Sequence, residues 1–81
     1  MKNYLRYYRK CSDLTQTELA FKSGLSQVTI SAIECGTWSP TLLNALKISK
    51  ALGIPINELF ELERNDWLWK KINFMKNLYV Y

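Results

Sequence analysis

The 81-residue chain is 48% hydrophobic and carries 11 Lys and Arg against 7 Asp and Glu, a net charge of +4, with no histidine. That length supports one hydrophobic core and not two. The lack of histidine removes ordinary structural zinc sites and Cys/His nucleophile pairs, although Cys11 and Cys35 are present. No apolar run reaches membrane-spanning length, and MKNYLRYYRK lacks the apolar stretch of a signal peptide, so a cytoplasmic protein with no membrane association is expected. In that compartment the cysteines are expected as small, reduced, packed residues.

A first helix is predicted from about Lys2 to Cys11, with Leu5, Tyr8 and Tyr4 toward the core at helical spacing. Ser12 to Leu14 form a short link. The second helix begins at about Gln16, because the Thr15 hydroxyl can accept from the Glu18 N–H while the Glu18 carboxylate accepts from the Thr15 N–H, a capping box. It turns Leu19 and Ala20 inward and stops at Gly24, since glycine most cheaply takes the left-handed conformation that ends a helix. Ala20 is small enough to let a second helix cross closely. Ser26 can cap that next helix, in which Ile30 and Ile33 continue an apolar face opened by Leu25, while Gln27, Val28, Ser31 and Ala32 fall elsewhere on the circumference. It is predicted to end at Gly36.

A loop from Thr37 to Pro40 leads to a fourth helix over about Thr41 to Leu52, with Leu42, Ala45, Leu46, Ser49 and Leu52 in one stripe. Gly53 ends it. Pro55 suits the start of a short fifth helix through Ile56, Leu59 and Phe60, with Glu58 near its positive end. Beyond Phe60 the composition changes: ELERND leads into WLWKKINFMKNLYVY, which holds two of the three tryptophans. Asp66 can cap a helix carrying Leu68, Ile72, Met75 and Tyr79 or Leu78 at 3–4 residue intervals, and Leu78 to Tyr81 suit a strand equally well. There is no internal repeat and no low-complexity tract.

The ordered set Leu5, Tyr8, Arg9, Thr15-Gln16, Leu19-Ala20, Gly24, Ser31, Ile33-Glu34, Gly36, Pro40 and Ala51-Leu52-Gly53-Ile54 leading to Leu59 resembles the lambda-repressor and Cro-like helix-turn-helix domain. That domain occurs in phage repressors and in bacterial regulators of the xenobiotic-response-element type. The resemblance covers about Leu5 to Phe60. It implies an all-α fold, a compact five-helix DNA-binding domain over residues 1–60 with its motif at about 16–35, followed by an aromatic helical extension over 61–81. The extension is expected to pack back on the domain or to dimerise.

The positions matching the base-contacting ones of the resembled domain are Gln27, Val28 and Ala32. A glutamine amide can pair with adenine N6 and N7, and a valine can pack on a thymine methyl, so an A·T preference is expected where these two read. Gln16 matches a phosphate-holding position at the start of the positioning helix. Thr17, Lys22, Ser26, Thr29, Ser31 and Thr41 are further candidates for phosphate or positioning contacts. Arg9 and Glu34 match a pair that joins the first helix to the end of the recognition helix, through two parallel guanidinium–carboxylate hydrogen bonds. Cys35, one residue before Gly36, sits where oxidation would affect that helix.

One departure is that the loop Cys35-Gly36-Thr37-Trp38-Ser39-Pro40 holds no Lys or Arg, where relatives commonly place a basic residue after the glycine. Fewer phosphate contacts, and a low salt dependence for the class, are expected. Trp38 is expected to pack on the core or the extension, with a sugar-phosphate contact as the alternative.

The implied partner is double-stranded DNA with an imperfect palindrome, bound by a homodimer, because one recognition helix reads only a few base pairs. Transcriptional regulation, most simply repression, is the leading function. An antitoxin-type or other protein-interaction module on the same fold is the alternative. No cofactor is implied, and an enzyme is not expected: the chain has no phosphate-cradling glycine loop and no nucleophile with an evident base.

Overall fold

The computed structural model describes residues 2–61, and the predicted helix or strand over residues 66–81 lies outside them. In chain order the elements are β1 (Lys2–Asn3), α1 (Leu5–Cys11), α2 (Gln16–Ser23), α3 (Gln27–Glu34), α4 (Leu42–Leu52), α5 (Ile56–Leu59) and β2 (Phe60–Glu61). Among the described residues five helices form the body. Among the described residues no helix is long and apolar enough to cross a membrane.

The first helix begins three residues later than the sequence periodicity predicts. Lys2 and Asn3 pair antiparallel with Glu61 and Phe60 instead, and the Tyr4 N–H donates to the Leu59 carbonyl at 2.8 Å. Asn3 also competes with the helix locally, for its Oδ1 accepts from the Leu5 N–H at 2.9 Å. Its amide nitrogen donates to the Ile33 carbonyl, tying the start of the chain to the end of α3. As a consequence Tyr4 stays largely exposed, contrary to its expected core position, whereas Leu5 is fully buried and Tyr8 half-buried.

α2 starts as its residues require. Thr15 Oγ1 accepts from Glu18 N at 3.0 Å and Glu18 Oε1 accepts from Thr15 N at 2.9 Å. Gly24, at φ +75°, closes the helix in the left-handed region. Ser26 Oγ then accepts from Thr29 N at 3.1 Å and starts α3, which ends at Glu34 with Cys35 as its cap, two residues short of the predicted stop. The link after α1 turns on Asp13, whose φ of 58° is of a kind that Asp tolerates better than most residues.

Buried Leu19 and Ala20 of α2 and Ile30 and Ile33 of α3 form one side of the core. Ala45 and Ile48 of α4 meet Ile56, Leu59 and Phe60 on the other. Buried Ile48 lies outside the predicted stripe, because α4 packs against both α2 and α5 and so buries a wider arc than a surface helix does. Ser49 is fully buried with its hydroxyl satisfied, donating to the Ile54 carbonyl at 2.6 Å. Phe60, predicted as the last residue of the fifth helix, is a buried strand residue: Pro55 precedes α5 as its cap and the helix lasts four residues. α3 is thus clamped on its apolar side by α2, with its other side turned outward.

Candidate nucleic-acid interface

Ile30 and Ile33 hold α3 in the core, and helical geometry then sends the residues four apart, Gln27 with Ser31 and Val28 with Ala32, to other faces. Gln27 is exposed and Val28 is 73% exposed, both on the first turn. Ser31 and Ala32 are half-buried further along. Thr29 is half-buried too, and its hydroxyl shares a 2.8 Å hydrogen bond with that of Ser26. The leading turn of α3 therefore offers a carboxamide and an apolar surface side by side.

Gln27 does not hang free. Its Nε2 donates to Gln16 Oε1 at 2.7 Å, across from the first turn of α3 to the first turn of α2. Gln16 Nε2 donates in turn to Glu34 Oε1 at 3.1 Å. The start of α2 and both ends of α3 are joined through these three side chains.

Glu34 is the hub of that network. Its side chain has no exposed surface, and it accepts from Arg9 Nε (2.6 Å, on Oε2), from Arg9 Nη2 (3.2 Å, on Oε1) and from Arg6 Nε (3.3 Å, on Oε1). Burial pushes the Glu34 carboxyl up, but the hydrogen bonds from Arg9, Gln16 and Arg6 and the charge of Arg9 outweigh it and hold the carboxyl below the ordinary glutamate value. It is an ionised, acceptor-only group at neutral pH. Arg9, almost fully buried, also donates from Nη1 to the Leu14 carbonyl at 2.7 Å, so it fastens the α1–α2 link as well.

Other candidates are spread along the molecule. Thr17 is exposed beside Gln16 on the first turn of α2, and Thr41 caps α4 by accepting from Asn44 N at 3.1 Å. Lys22 is not brought to them. It lies on the last turn of α2, where it lines a shallow depression with Lys47 and Lys50 of α4. Cys11 and Cys35 are free and exposed, so neither is the packed residue that composition suggested. Trp38 is 42% exposed in the loop after α3.

One member of the network, Arg6, and the contact of Gln16 with Glu34 lie beyond the sequence reading. Arg6 lies three residues before Arg9 on the same helical face, a spacing that could have flagged it as a second donor to one carboxylate. The bond between Gln16 and Glu34 has no such local signal, since the two are 18 residues apart.

Known proteins share this fold. The helix-turn-helix family model matches residues 5–59. An uncharacterized HTH-type transcriptional regulator of Methanocaldococcus jannaschii is 47% identical over 66 residues, which are 82% of this chain and all of that protein. The cryptic phage CTXphi transcriptional repressor RstR of Vibrio cholerae is 36% identical over 77 residues, 91% of this chain and 69% of that one. Among solved structures, the restriction-modification controller protein C.AhdI from Aeromonas hydrophila aligns with a TM-score of 0.66 at 41% identity, covering 69% of this chain and 85% of that one.

Proposed function

Because this chain belongs to the helix-turn-helix family, we propose that it is a transcriptional regulator that binds double-stranded DNA sequence-specifically, with α3 in the major groove. The observation that carries the reading is the exposed Gln27 amide, held from α2 by Gln16 and set beside the exposed side chain of Val28. Such a pair suits an A·T step, the amide on adenine N6 and N7 and the valine on a thymine methyl. Ala32 extends the reading surface. Gln16, Thr17, Ser26, Thr29, Ser31 and Thr41 serve the flanking phosphates, and contacts of that type orient the helix without reading sequence. Lys22 is a weaker member of that set, being a helix length away from Gln16. Regulation is simplest as repression by occupying a promoter.

Two copies are needed to cover a site of useful length, with recognition helices about 34 Å apart on an imperfect palindrome. Residues 61–81, rich in Trp and Tyr, are the candidate packing or dimerisation element. The names of the relatives, a phage repressor and a restriction-modification controller protein, support the regulatory reading.

The test is selection of bound sites from random duplex DNA with the wild type and with Gln27→Ala. The expected result is loss of preference at one base step, with general affinity largely kept. An unchanged preference would remove Gln27 from base reading.

A further inference from the structure

We infer that Glu34 is a positioning residue for base reading: through Gln16 it fixes which end of the Gln27 amide is turned toward α2, so that the protein tells an A·T pair from the same pair reversed. This rests on the assignment of Gln27 to a base contact. The physical basis is a chain of hydrogen bonds that can run in one direction only.

A carboxylate accepts and cannot donate. Both Glu34 oxygens are engaged by donors, and one of these donors is Gln16 Nε2 at 3.1 Å. With its nitrogen held there, Gln16 turns its carbonyl oxygen the other way, where it accepts from Gln27 Nε2 at 2.7 Å. A reversed Gln16 amide would press an oxygen lone pair against a buried anion. Gln27 consequently keeps its nitrogen on the α2 side, with one N–H and its carbonyl oxygen left for a base.

Adenine shows an acceptor, N7, and a donor, N6, in a fixed order across the major groove, and reversing the pair reverses that order. An amide free to flip satisfies both orders. A tethered one satisfies only the order that sets N7 nearer α2. The buried carboxylate thus reaches the reading surface without touching DNA.

Binding of the full-length chain to two duplexes that differ only in reversal of the A·T pair read by Gln27 tests this. The wild type should prefer one duplex. Glu34→Gln, whose amide can donate as well as accept, should cut the preference by about tenfold, the scale of one good bidentate contact. Gln16→Met should do the same while leaving the Arg9–Glu34 pair intact, which keeps the readout if Glu34→Gln fails to fold. The double exchange Gln16→Glu with Glu34→Gln returns an acceptor-only group to the side of Gln27 and should restore the ratio, at lower overall affinity from the added charge near phosphate. A purely structural Glu34 would weaken both duplexes equally. An unchanged ratio in both single variants, or a double exchange no better than Glu34→Gln, overturns the inference. Gln27→Ala separates the two levels: if it keeps the wild-type ratio, the base contact itself is wrong. If it abolishes the ratio while the other single variants preserve it, the base contact stands and the relay falls.

Discussion

Arg9 spends its guanidinium on three acceptors, the two Glu34 oxygens and the Leu14 carbonyl. Removing it strands a buried carboxylate whose remaining charged partner among the described residues is the exposed Arg6, and breaking a buried pair in this way typically costs about 3–5 kcal/mol. Arg9→Ala should therefore lower the melting temperature by roughly 10 °C or more, read by circular dichroism. The same pair sets an acid limit. Since the native Glu34 carboxyl lies below its ordinary value of 4.5, its contribution is full above that value and is lost as pH falls through the lower native one. Melts from about pH 7 to about pH 3 should show a steeper loss for the wild type than for Arg9→Ala. Glu18, also held low by the Thr15 N–H and hydroxyl, is common to both proteins and drops out of that comparison. At this scale the sequence was readable where partners are close in the chain, as with Thr15 and Glu18. Arg9 and Glu34 were reached only through a family resemblance, and Gln16 with Glu34 not at all, because a contact across 18 residues depends on how two helices cross.

Three of the helices announce their beginnings in the sequence. The starts of α2, α3 and α4 are marked by Thr15, Ser26 and Thr41, each accepting from a backbone N–H three residues on. For α3 the cap and the candidate phosphate contact fall on one hydroxyl, and two substitutions separate them. Ser26→Ala should cost about 1 kcal/mol of stability, measured by denaturant titration. Ser26→Asp caps as well as serine does, yet places a negative charge toward phosphate, so it should keep the stability and weaken DNA binding. Equal affinity in Ser26→Asp and the wild type would place this cap away from the DNA backbone. The elements that escaped prediction are the two shortest. Lys2–Asn3 and Phe60–Glu61 are too brief to show a strand period, and the tyrosines and leucine that follow Asn3 extend a plausible helical pattern back over it. The buried Ile48 was missed for another reason, as a helix covered by neighbours on two sides buries residues off its main stripe.

At the scale of the whole molecule, the charge of the described residues is not gathered on the proposed reading face. α3 carries one charged residue, Glu34, and that one is inward, while Lys22, Lys47 and Lys50 cluster between α2 and α4. The proposed recognition by α3 accordingly leans on polar and apolar contacts more than on ion pairing with phosphate. Assembly is the larger question at this scale. Sedimentation of the full chain and of a version ending after Glu61, which keeps the buried Phe60 and the β1–β2 pair, should give a dimer and a monomer respectively. Equal masses would take residues 62–81 out of the interface.

The pairing of Lys2 with Glu61 and of Asn3 with Phe60 leaves the two arms of a β-hairpin that lack only the turn between them. In the version ending after Glu61, a two-residue loop such as Asn-Gly joining Glu61 to Lys2 would close the backbone into a ring at that point, and the ring could be reopened in the exposed segment 37–39 without cutting any helix. The order in which the chain visits its helices is then separable from the packing that presents Gln27, and a permuted polypeptide would carry the same exposed Gln27 with its ends in the loop that follows α3.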